Sequence, residues 1–170
     1  NRVGFTESFD CRPGAFLLPS KPIRDHKAFG ILTFPEVIIH SSNLGTIQIG
    51  LRIGEQPFYH QIKSFHFGEK TGIDLPGEEC GKFRPVESWA KFSLSYLSIG
   101  YEISVTAIQM LQAINIIANK GLLARPRVVK HASGSLATDT TDSAESRRIL
   151  SETAALDMIC LLYTSDAADE

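Results

Sequence analysis

Three short patterns in this 170-residue chain could take part in serine acyl transfer. Ser88-Trp89-Ala90-Lys91 separates a hydroxyl from an amine by three positions. One turn of helix would set that amine beside the hydroxyl and activate it as a nucleophile. Ser41-Ser42-Asn43 has the form S-x-N, a hydroxyl and a carboxamide that could face one cleft. Lys70-Thr71-Gly72 is a third pattern, found with the other two in one class of serine enzymes. Each is short enough to arise by chance, so the surrounding elements decide.

Ser88 follows a Gly/Pro-rich stretch, in "FRPVESWAKFSLSYLSIG", and its pattern reads as a coincidence. Lys70 to Gly72 lies among Gly68, Pro76 and Gly77, without the β-formers an edge strand needs, so it reads as loop. Thr33-Phe34-Pro35-Glu36 is a helix start: Thr33 at N-cap, Glu36 at N3, Pro35 in the first turn, Leu32 and Val37 as a hydrophobic staple. "HSSNLG" interrupts that helix, because Ser and Asn compete for backbone hydrogen bonds and favour turns and caps. A second helix is expected over 44–53, with Ile47 and Leu51 on one face and Gly54 at its end. Ser41 and Asn43 thus sit in a helix-helix turn. Either they only cap, or the turn presents them to a cleft.

Further along, 57–65 predicts a short helix with Phe58, Ile62 and Phe65 on one stripe, and 68–85 a loop. Residues 104–120 predict a buried helix. Thr106 and Gln109 form its capping box, Ile108, Met110, Leu111, Ile114, Ile117 and Ala118 its apolar band, and Gly121 its C′ stop. "RPRVVK" (125–130) reads as extended, 131–145 as a polar linker, and Ser151 as the cap of a helix beginning "ETAALDMI".

Composition narrows the classes. Hydrophobic content of 43% with 21% charged residues fits one globular domain and excludes wholesale disorder. A net charge of -2 gives no pull toward nucleic acid. Cys11, Cys80 and Cys160 have neither disulfide-framework nor metal-ligand spacing, so free thiols and no metal are expected. The histidines, His40 beside the turn included, are scattered without a carboxylate or cysteine pattern; packing is expected for His40. The string "CLLYTSDAADE" (160–170) resembles the translated read-through of a sequencing adapter and is set apart from residues 1–159. The chain begins without Met and reads as an excerpt whose targeting segment lies elsewhere.

Three consecutive blocks, "EVIIHSSNLGTIQIGLRIG", "FHFGEKTGIDLPGEECGKFRP" and "SIGYEISVTAIQMLQAINIIANKGLLARPRVV", resemble class B penicillin-binding proteins, the peptidoglycan D,D-transpeptidases of bacterial wall synthesis. "FDCRPG", "IRDHKAFGILT" and "RRILSETAALDMI" extend the resemblance over roughly 9–159. The implied fold is α+β, an incomplete transpeptidase domain of which this chain holds mainly the helical part, with apolar faces left exposed. The resemblance places Lys70-Thr71-Gly72 in a structural loop block, because the family's catalytic Lys-Thr-Gly comes later. It excludes Ser88 as nucleophile, because the family's nucleophile precedes S-x-N. Ser41 then corresponds to the motif serine of the proton relay, and Asn43 to the asparagine that binds the lysine and the substrate backbone.

The implied reaction cross-links stem peptides ending in D-Ala-D-Ala through an acyl-enzyme that β-lactams also form, without cofactor or metal. The chain alone is expected to be inactive. Ser-Ser-Asn favours the septal or sporulation branch, with membrane proteins of the division complex as partners and no nucleic acid. The whole protein would be anchored in the inner membrane and act on its outer side. A non-catalytic division-complex scaffold of the same fold is the alternative, and a soluble β-lactamase relative a third. One departure stands out: His66 occupies a place where the family usually has glycine, which would strain a turn of positive φ.

Overall fold

The computed structural model describes residues 3–13, 23–128 and 147–168, with side chains to 165. The linker expected over 131–145 and the end of "RPRVVK" lie outside the described residues; 125–128 form no strand. Two compact units divide the chain: Asn1–Gln61, Phe83–Ile103 and Cys160–Glu170 make the first, Ile62–Lys82 and Ser104–Ile159 the second.

In the first unit, strands β1 (Ser8–Asp10) and β2 (Ile31–Thr33) pair antiparallel, with Phe9 opposite Leu32. Neither strand was expected from sequence patterning. Helix α1 (Phe34–Ile39) follows directly. The Glu36 carboxylate accepts from the Thr33 amide and hydroxyl, both at 2.7 Å, which satisfies the helix start as its sequence predicts. Helix α2 (Asn43–Ile53) packs on this frame and ends at Gly54 with φ 89°. Phe9, Cys11, Leu32, Val37, Leu44 and Ile49 form the core. Gly45 permits the close approach of α1 and α2: a Cβ there would lie 2.5 Å from Val37 Cγ2. Gln48 ties α2 to β1 by donating to the Asp10 carbonyl at 2.7 Å. Ile47 is buried as expected, whereas Leu51 is exposed.

Helix α3 spans Glu55–Ser64, two residues earlier than expected, with Pro57 inside its first turn, where a missing N–H costs nothing. A 3-10 turn (Val86–Ser88) and helix α4 (Ser93–Ser98) follow in the first unit, α4 lying against α2 at Gly50.

The second unit centres on helix α5 (Ala107–Ala118), capped by Thr106 and Gln109 as predicted. Its buried face differs from the expected one. Met110, Leu111 and Ile114 are 45%, 60% and 57% exposed, while Gln109 and Gln112 are buried with Ala113 and Ile116. Gln109 is spent on a loop: its amide donates to the carbonyls of Glu69 at 2.7 Å and Cys80 at 2.9 Å, and more weakly to His66 at 3.4 Å. Its Oε1 accepts from the Thr106 amide at 2.9 Å. Gln109 is itself fully buried, so its amide needs partners, and the loop carbonyls supply them against the apolar pattern. The helix stop also differs. Lys120 takes the left-handed C′ conformation (φ 53°), and Gly121 follows it with φ 85°. Gly121 closes the turn by donating to the Ile116 carbonyl at 2.7 Å.

Helix α6 (Glu152–Ala168) begins at Ser151, whose hydroxyl accepts from the Ala154 amide at 3.2 Å. The helix continues through the adapter-like string. Ser165 in that string donates to the Ile39 carbonyl at 2.9 Å.

Candidate functional site

The turn between α1 and α2 divides its work among three residues. His40 is the C-cap of α1, and its ring stacks on Phe29 at 5.4 Å between centroids. Ser41 follows with φ 49°, the left-handed region. Its amide donates to the Ile38 carbonyl at 3.1 Å, and the Ser42 amide to the Val37 carbonyl at 3.0 Å. These two bonds make a Schellman motif with Ser41 at C′, the position glycine usually fills. Its hydroxyl is not needed for the turn: Ser41 is exposed, and its Oγ has no hydrogen bond among the described residues.

Ser42 does the capping. It is fully buried, and its Oγ accepts from the Gly45 amide at 3.0 Å while donating to Asp25 Oδ2 at 2.7 Å. Asp25 Oδ1 accepts from the Leu44 amide at 3.1 Å, satisfying a second free donor of the α2 N-terminus. Asn43 is the first residue of α2 and half-buried, and its Nδ2 donates to the Arg24 carbonyl at 3.0 Å. One N–H and the Oδ1 of Asn43 therefore remain for another partner. Neither Ser41 nor Asn43 lies in the dry interior, and capping falls to the residue between them. Beneath the turn, burial pushes the Cys11 thiol up from its ordinary range, so it stays protonated.

The other two patterns are not assembled for catalysis. Ser88 ends the 3-10 turn and its hydroxyl donates to the Pro85 carbonyl at 2.7 Å. Lys91 Nζ instead lies 5.5 Å from the Phe92 ring centroid. Thr71 is buried in a loop, its hydroxyl donating to Glu78 Oε1 at 2.6 Å. The Gly72 amide donates to Glu78 Oε2 at 3.0 Å, and Arg125 donates to the Gly72 carbonyl. The Thr71 hydroxyl and the backbone amides hold the Glu78 carboxyl below its usual range. His66, read as a departure from a glycine position, has φ 64° two residues past the end of α3 and lies 3.5 Å from the Glu69 carboxylate.

Sequence reasoning missed Asp25 and the Arg24 carbonyl. No local pattern marks either, since both lie in an irregular stretch well before the turn they hold. Among the described residues no group of three His, Cys, Asp or Glu could hold a metal ion. None of their helices is long and apolar enough to cross a membrane.

The family model "Penicillin binding protein transpeptidase domain" matches residues 3–169. The chain is 33% identical over 137 residues to "Penicillin-binding protein PbpB" of Mycolicibacterium smegmatis, covering 79% of this chain and 21% of that protein. It is 38% identical over 101 residues to "Stage V sporulation protein D" of Bacillus subtilis, covering 59% of this chain and 16% of that protein. Among solved structures, the apo transpeptidase domain of penicillin-binding protein 3 from Burkholderia pseudomallei superposes with a TM-score of 0.81. It is 26% identical, over 95% of this chain and 47% of that one. The chain thus spans about a fifth of the length of the curated relatives it matches.

Proposed function

Because the chain belongs to the penicillin-binding protein transpeptidase family, we propose that it is part of a septal-type peptidoglycan D,D-transpeptidase in which Ser41 and Asn43 are the catalytic groups of this segment. The observation that carries the reading is the division of labour in the turn. Ser42 and the backbone hold it together, which leaves the Ser41 hydroxyl and half of the Asn43 amide for chemistry. Ser41 relays a proton between an activating lysine and the departing D-alanine amine. Asn43 Oδ1 accepts from that lysine, and its remaining N–H donates to a backbone carbonyl of the bound stem peptide. An amide suits both tasks because it does not titrate.

The nucleophile and its lysine are assigned to the part of the protein outside this chain. The one S-x-x-K pattern present is not helical across Ser88 and Lys91, and its hydroxyl and amine have other neighbours. Attack on the penultimate D-Ala carbonyl expels D-alanine and forms an ester. An amine of a second stem then opens the ester to make the cross-link. β-Lactams enter the same acylation step and stop there. The complete protein acts outside the inner membrane, with membrane proteins of the division complex as partners. Segment 160–170 is proposed to be adapter translation; sequencing the locus across the Cys160 codon checks it, and an unbroken natural reading through Glu170 would refute it.

Labelling of the full-length protein with a fluorescent penicillin tests the catalytic reading. Wild type should label. Ser41→Ala and Asn43→Ala should slow labelling by about 100-fold or more. A folded full-length protein that never labels would instead be the scaffold of the same fold.

A further inference from the structure

The Asn43 amide can serve two partners only if its plane is fixed, and nothing within α2 fixes it. The restraint comes from residues 24 and 25. The Arg24 carbonyl accepts one Asn43 N–H at 3.0 Å. The adjacent Asp25 carboxylate spans the turn, with one oxygen on the Ser42 hydroxyl at 2.7 Å and the other on the Leu44 amide at 3.1 Å. The two bonds to Asp25 bracket Asn43 in sequence, and the Arg24 bond grips its side chain. We infer that Asp25 is a positioning residue: its carboxylate seats the 24–25 backbone against the start of α2 so that the Arg24 carbonyl orients the Asn43 amide for catalysis. This rests on the proposed catalytic role of Asn43. Asp25 contacts no reacting group; it acts through geometry, and misplacement of a catalytic group by an ångström can cost about 100-fold in rate.

The chemistry of the two contacts separates position from charge. An asparagine at 25 can accept from the Leu44 amide with its Oδ1 and donate to Ser42 Oγ with its Nδ2. The Ser42 hydroxyl has a lone pair free for that bond; its own proton then loses the Asp25 acceptor, which lowers stability without moving the 24–25 backbone. Asp25→Asn should therefore keep the seat, Asp25→Ala should lose it, and Asp25→Glu should push the strap outward by one methylene while keeping the charge.

The experiment measures the second-order rate of acylation by fluorescent penicillin in the full-length protein, with Tm recorded for each variant. Asp25→Ala and Asp25→Glu are expected to slow acylation about tenfold or more, and Asp25→Asn to stay within about threefold of wild type. In the Asn43→Ala background, Asp25→Ala should add no further slowing, because the group it positions is gone. Thr106→Ala, which removes the α5 cap, should lower Tm without this rate loss. If Asn43→Ala slows acylation and Asp25→Ala does not, the positioning role is overturned and the catalytic reading survives. If Asn43→Ala leaves acylation unchanged, both fall. Should Asp25→Ala not fold, the Glu and Asn pair decides: equal rates refute the inference, and a slow Glu with a near-normal Asn supports it. A slow Asn with a near-normal Glu would mean that charge, not position, is what Asp25 supplies, and would also refute it.

Discussion

Replacing Ser41 with glycine should separate stability from catalysis. At φ 49° the Ser41 Cβ carries the left-handed penalty of an L residue, about 1–2 kcal/mol. Glycine removes that penalty but frees the unfolded chain, at a cost of about 0.4–1 kcal/mol. The hydroxyl itself has no hydrogen bond among the described residues, so its loss subtracts little from the turn. The net effect is a gain of between zero and about 1.6 kcal/mol. Acylation should nevertheless fall by about 100-fold, because the relay oxygen is gone. Its neighbour, in contrast, should lose stability. Ser42→Ala removes the α2 N-cap and deprives Asp25 of a donor, and should cost about 2 kcal/mol. Denaturant unfolding and penicillin labelling of the full-length protein read both quantities. A Ser41→Gly protein destabilised by more than about 1 kcal/mol would show that the hydroxyl holds the turn. One acylated at the wild-type rate would remove Ser41 from the mechanism. Either result refutes the division of labour.

His66→Gly should stabilise the protein by up to about 1 kcal/mol, since φ 64° there is a glycine conformation; a raised urea midpoint checks it, and a lowered one would mean that the contact with Glu69 outweighs the strain. Gly45→Ala should destabilise by about 1–3 kcal/mol, because the new Cβ would meet Val37 Cγ2 at 2.5 Å and force α1 from α2. The Glu78 carboxyl is lowered from 4.5, so its stabilisation is complete above that value and is lost as pH falls through the folded pKa. Amide exchange at Thr71 and Gly72 should therefore lose protection on acidification, and Glu78→Gln should remove that pH dependence.

Features coded by neighbouring residues were legible in the sequence. The two N-terminal caps at Thr33 and Thr106 follow from side chains three positions apart, and both formed. The helix-helix turn at 40–42 and the loop character of Lys70 to Gly72 were equally local. The resemblance to one family located the loop block and named Ser41 and Asn43. What remained hidden depends on partners distant in sequence. Ser41 and Ser42 look alike on paper; the Asp25 carboxylate, 17 residues away from Ser42, joins the Gly45 amide in marking the second as structural. The buried face of α5 was misread because Gln109 is drawn inward by loop carbonyls, a demand that no apolar periodicity records. The two strands, each three residues long, are too short to display an alternating pattern.

The amide of Gln109 closes a stretch of backbone that leaves the ribosome before it does. Its carbonyl partners precede it by 29 to 43 residues. At about 5–20 residues per second, a nascent chain waits roughly 1–9 seconds between making those carbonyls and producing the group that ties them down. Throughout that interval the stretch from His66 to Cys80 holds only its own local bonds, such as those of Glu78 to Thr71 and Gly72, and lacks the three that Gln109 adds.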